Sequence, residues 1–154
     1  MAQDVLTIAW KFMRRRKFAT AIKLLESRHD TYEGNFEFYI ALGIACLYVG
    51  DIGSSVSYFQ QARRIKLTDT RLLLGQAAIF LRRGDTERAL QYYIEIKEND
   101  PENKVASNAM EFIRTRGDYD TICRWVDTGR IEQFYPPLGV NPQGVDAIVI
   151  PALC

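Results

Sequence analysis

The residue types that most often do chemistry occur in this chain, but their spacing does not assemble them. His29 is the only histidine and has no Cys or second His near it in sequence, so it reads as a loop residue and not as a ligand or a base. Cys46, Cys123 and Cys154 form no close pair, and three are too few for a disulfide framework or a zinc site. Glu87, Glu95, Glu98 and Asp100 offer carboxylates, but on a surface helix these are expected to be solvated. No phosphate loop, dinucleotide glycine pattern or paired-ligand spacing appears. The chain is therefore expected to be no enzyme and to carry no cofactor or metal. Its densest charge, Arg14-Arg15-Arg16-Lys17, reads first as a solvated helix end whose cations oppose the negative pole of the helix dipole. The alternative is an acidic partner or an anionic membrane surface nearby.

With 154 residues and 47% hydrophobic content, the chain is long enough to bury a continuous core. Twenty basic and nineteen acidic residues nearly cancel, which argues against a nucleic-acid binder, since phosphate neutralisation needs a cationic surplus. No secretory signal peptide opens the sequence, and no run reaches the ~20 apolar residues of a membrane span. The expected location is the cytoplasm, with any membrane association indirect.

What positions the side chains is a 34-residue unit written three times over residues 2–103. Gly43, Cys46, Gly50-Asp51, Ser55-Val56 and Phe59 align with Ala77, Phe80, Gly84-Asp85, Ala89-Leu90 and Tyr93. In the other direction they align with Ala9, Phe12, Arg16-Lys17, Ala21-Ile22 and Leu25. Within each unit apolar residues recur at spacings of three and four on either side of one breaker, which predicts a helical hairpin. The glycine can close the first helix in a left-handed turn and the aspartate can cap the second. Helices are expected at 2–15, 18–28, 36–49, 52–65, 70–83 and 86–99. Small residues at Ala9, Gly43 and Ala77, and at Ala21, Ser55 and Ala89, mark where paired helices approach, with Phe59 and Tyr93 as knobs.

These residues resemble the tetratricopeptide repeat family. The third unit carries the whole pattern in Ala77, Phe80, Gly84, Asp85, Ala89, Tyr93 and Pro101. The second departs at Cys46 and Leu67, and the first at Arg16-Lys17, where a non-glycine left-handed turn costs roughly 1 kcal/mol. The resemblance implies an all-α fold, a right-handed solenoid of antiparallel helix pairs. Its units are 2–35, 36–69, 70–103 and a degenerate 104–134, together a repeat domain over 1–134. In the last unit helices are expected near 103–116 and 119–127 and a short turn at 130–134. Trp125 and Val126 should face inward, and the unit should cap the array.

In this family the first helices line a concave groove. Carried across, its positions are Gln3, Leu6, Trp10, Met13 and Arg14, then Glu37, Ile40, Ile44, Leu47 and Tyr48, then Arg71, Leu74, Ala78, Leu81 and Arg82. So apolar a groove implies a non-enzymatic scaffold or assembly factor that captures an apolar peptide or helix, with Arg14, Arg71 and Arg82 orienting a carboxylate or carbonyl. The opposing expectation is that Ile44, Ala78 and Leu81 pack against the next unit. Leu6 and Trp10 replace the Lys and Asn of the chaperone adaptors, so that carboxylate clamp is missing. The small secretion chaperones, which hold an extended apolar segment, are the alternative subtype. A first unit without a preceding cap leaves Val5, Ile8 and Phe12 on an edge that a second copy would cover.

From Tyr135 the composition changes. Tyr135-Pro136-Pro137-Leu138-Gly139 and Asn141-Pro142-Gln143-Gly144 exclude helix, and Asp146 is the only charge in 135–154. So apolar a tail is expected to fold back on its own repeats, to bind a neighbouring copy, or to lead into a membrane-tethered segment beyond Cys154.

Overall fold

The computed structural model describes residues 4–139. The expectations for Ala2, for Gln3 and for the tail from Val140 onward lie outside the described residues. Among those described, the chain is all-helical, with no strand. The helices are α1 (Val5–Arg14), α2 (Phe18–Glu26), α3 (Phe36–Val49), α4 (Ile52–Ile65), α5 (Thr70–Arg82), α6 (Thr86–Asn99), α7 (Lys104–Arg116) and α8 (Tyr119–Asp127). A single 3-10 turn follows at Arg130–Phe134.

The breaker chemistry explains the boundaries. Gly50 has φ +85° and closes α3, and Asp51 and Asp85 open α4 and α6 by accepting from the amides of Ser54 and Arg88, each at 3.3 Å. Asn35, Asn103 and Asp118 cap α3, α7 and α8 in the same way. Two helices of the first unit are shorter than expected. Asp4 is extended and accepts from the Leu6 amide at 3.2 Å, which fixes the start of α1 at Val5. At the end of α2 the Arg28 amide turns to the Leu25 carbonyl at 2.9 Å, and a series of tight turns replaces the last expected residues.

The described residues form two compact units, one of residues 4–67 with 137–139, the other of Thr68–Pro136. In the first, α1 pairs with α2 and α3 with α4, while α2 and α1 both lie against α3. Ala9, Ala21, Ala62 and Leu25 are fully buried there. Gly43 sits under the Phe59 ring so closely that an added Cβ would fall 2.6 Å from it. Beside it the Ser55 hydroxyl donates to the Gly43 carbonyl at 2.7 Å, which satisfies the buried polar side chain. This is the small-against-large interlock expected from the sequence.

In the second unit α5 pairs with α6, and α6 packs on α7. Ala77, Ala89 and Tyr93 are fully buried at the equivalent places. The last helix departs from a plain repeat. α8 lies against α5 and against the Arg130–Phe134 turn, and that turn also touches α5 and α7. The binding material is aromatic: Phe112 meets Trp125 at 4.4 Å and Phe134 at 5.1 Å between ring centroids. Trp125 is buried, as expected, whereas Val126 is only half-buried.

The Gly43–Phe59 contact has no room for a methyl group. Gly43→Ala should destabilise the protein by about 1–3 kcal/mol and lower its melting temperature by about 2–12 °C. Adding Phe59→Leu should return part of that loss in a double-mutant melt, and strictly additive losses would refute the contact as its cause.

Candidate functional site

The residues expected to line a groove divide by burial. Leu6, Trp10 and Arg14 stand four residues apart on α1 and are half-buried, as are Arg71 and Arg82. Met13, Ile40, Ile44, Leu47 and Leu81 are fully buried, Leu74 is 2% exposed and Tyr48 8%. Ala78 is fully buried as well, so eight of the thirteen apolar and basic candidates do not present an open surface in this conformation. Val5, Ile8 and Phe12, the expected edge, are half-buried.

Tyr48 is engaged within the first unit. Its ring stacks on Phe18 at 4.8 Å and 12°, and the Arg16 guanidinium lies over both rings at 5.6 and 5.3 Å. Arg16 has φ +62°, the left-handed turn for which the other repeats use glycine. The backbone strain and the cation–π contact thus fall on one residue. Among the described cluster Arg14 to Lys17, Arg15 to Lys17 are exposed and Arg14 is half-buried at the C-terminal end of α1, where the helix dipole favours a cation.

In the second unit the two arginines have different roles. Arg71 is held by Asp69 at 3.0 Å through Nη2, with a second bond from Nε at 3.1 Å. Burial works to raise the Asp69 carboxyl, but Arg71 and the amides it accepts from outweigh it and hold the carboxyl below its usual range. Arg82, at the end of α5, donates through Nη1 to the Tyr135 hydroxyl at 2.7 Å, across 53 residues of sequence. Tyr135 is 2% exposed and extended, with φ −82° and ψ 161°, the geometry a following proline imposes. Its phenol is pushed up by burial, against the pull of Arg82.

What delivers Tyr135 to α5 is the turn before it. Phe134 is fully buried and stacks on Trp125 at 5.7 Å and 2°, Ile131 is buried, and the Arg130 guanidinium lies 4.5 Å from the centre of the Trp125 ring. Tyr93 of α6 belongs to the same unit. It is fully buried, its hydroxyl has no hydrogen-bond partner among the described residues, and burial followed by the nearby Tyr135 phenol raises its pKa. The end of α5 thus carries a guanidinium that holds the phenol of an extended piece of chain.

This arrangement holds an extended segment of the chain itself. Cys46, the buried thiol of α3, is pushed up to about 12 by burial and is a core residue. Among the described residues no group of three His, Cys, Asp or Glu is close enough to hold a metal, and no helix is long and apolar enough to cross a membrane. A hollow of ≈ 540 Å³ lies between α6 and α7, with Leu90, Lys97, Ser107, Met110 and Ile113 in its lining. The sequence pattern marked Arg82 but not its partner Tyr135, nor Tyr93 as more than a packing knob. The one available signal was the switch at Tyr135-Pro136 from helix to extended chain.

Arg16 separates two opposing terms. Arg16→Ala keeps the left-handed strain and loses the cation–π contact, whereas Arg16→Gly loses the contact but removes the strain. The glycine variant should be the more stable of the two by about 1 kcal/mol in urea unfolding. The reverse order would show that the turn is not strained.

No protein-family model matches this chain, and no curated protein matches its sequence.

Proposed function

We propose that this chain is a tetratricopeptide-type repeat module, a non-enzymatic scaffold or assembly factor that binds an extended apolar segment of a partner protein along its first helices. The single observation that carries the reading is the seating of Tyr135 against α5, where an extended, proline-flanked stretch is held by Arg82. A helix face that accepts an extended stretch of its own chain has the shape and donors to accept one from a partner. Two further features support it. The α1 row of Leu6, Trp10 and Arg14 remains partly open, with two apolar side chains and a cation at helical spacing. In the first pair Ala9 and Ala21 are fully buried, which leaves the α1 row outside the helix pairing.

A selection from a library of apolar twelve-residue peptides tests this, with affinity read from Trp10 fluorescence and melting temperature. The expected outcome is a family of saturable ligands that raise the melting temperature and lose about tenfold in affinity on Leu6→Asp, or about 1.4 kcal/mol. Ligands that bind Leu6→Asp and Arg82→Met as well as the unaltered chain would contradict the reading. So would a library that yields no saturable ligand.

A further inference from the structure

Met110 stands seven residues before Gly117, as Gly43 stands seven before Gly50 and Ala77 seven before Gly84. At Gly43 the second helix of the pair covers that place with the Phe59 ring, and Ala77 is fully buried in the α5–α6 pair. α8 does not take the same place on α7. It lies against α5 and the Arg130–Phe134 turn, and it meets α7 through Trp125 on Phe112. Phe112 is about 200° round the helix from Met110, so α8 approaches the opposite side. Met110 is left half-buried, in the wall of the ≈ 540 Å³ hollow between α6 and α7. Leu90, Ile94 and Lys97 recur on α6 at helical spacing beside it, and Ile94 is 43% exposed. The strip from Leu90 to Lys97 is about 10 Å long, two turns of helix. At its end the Lys97 ammonium donates to the Ser107 hydroxyl at 2.7 Å and to the Pro101 carbonyl, and it meets no carboxylate among the described residues. Arg114, on the same hollow, is already paired with Glu111 at 2.6 Å.

We propose that the α6–α7 hollow is a docking seat for an amphipathic helix of a partner protein, one that brings a small residue to Met110, apolar residues to Leu90 and Ile113, and an acidic residue to Lys97. The occupant is a helix because its place on α7 is the one that α4 takes on α3, and because the walls present side chains at helical spacing. The size relation is reversed. Where α3 supplies a glycine and α4 a ring, α7 supplies the bulky, adaptable Met110, so the incoming helix must supply the small residue. The acid follows from Lys97, whose charge has no carboxylate opposite it among the described residues. This seat is separate from the α1 row of Leu6, Trp10 and Arg14. It takes a helix where that row takes an extended segment, and neither site needs the other.

The test uses the full chain with labelled methionine methyl groups and, as probe, a library of helical peptides of about 20 residues randomised along one face. Selected helices should carry an acidic residue at a constant distance from a small one. They should bind saturably and shift the Met110 methyl resonance, while that of the fully buried Met13 stays in place. Met110→Lys should weaken them roughly tenfold. Ile94→Lys alters a residue that is already exposed, so it tests the same face where Met110→Lys does not fold, and it should also weaken them several-fold. Lys97→Glu should weaken the acidic ligands and, on a fresh selection, replace their acid with lysine or arginine. Leu6→Asp should leave the helices bound, and extended peptides that depend on Leu6 should leave the Met110 methyl in place, so the two sites stand or fall separately. The proposal is overturned if no helix in the library shifts the Met110 methyl, or if the folded Met110 and Ile94 variants bind as tightly as the unaltered chain. A Met110 resonance that moves with protein concentration alone, and stops moving in Ile94→Lys, would give the seat to a second copy and overturn it as well.

Discussion

Close approach of paired helices constrains most of this structure. Where Gly43 meets the Phe59 ring there is no space for one more carbon, and the Ser55 hydroxyl spends its hydrogen bond on the Gly43 carbonyl in the same contact. Ala9 with Ala21 and Ala77 with Ala89 repeat that economy of volume in the other pairs. Interiors packed this tightly fix helix rotation, because turning a helix brings a larger side chain to the crossing point. Rotation in turn decides that Leu6, Trp10 and Arg14 share one row of α1, and that Arg82 projects from the end of α5 where Tyr135 can reach it.

The chain uses polar chemistry sparingly and at places with a visible purpose. Aspartate and asparagine caps start the helices, Asp69 restrains Arg71, and Arg16 answers its own strained backbone by lying on two stacked rings. Against that background the side chain of Tyr93 stands apart. It contains a buried hydroxyl without a partner, which the remainder of the described core avoids.

Much of the helical frame was legible in the sequence because it depends on local chemistry. Gly50-Asp51 and Gly84-Asp85 announce a stop and a start through the conformations they allow, and the helices they bound fall where the spacing placed them. Ends that depend on a choice among competing turns were less legible. α1 begins three residues late at the Asp4 cap, and α2 yields to tight turns after Glu26. Groove residues were carried across from the family resemblance, which implies a face but is silent on what lies over it in this chain. Ile40, Ile44 and Leu47 are accordingly on the assigned row and yet fully buried. The Arg82–Tyr135 contact joins positions 53 residues apart, and no periodicity or propensity carries information over that span.

The most direct measurement is the set of proton–proton contacts made by the Tyr135 ring in solution, from nuclear Overhauser spectra of the full chain with labelled tyrosines. The account predicts cross-peaks from the Tyr135 ring to the Arg82 side chain. A Tyr135 ring with the shifts of a free tyrosine and no cross-peaks to α5 or α6 would contradict it.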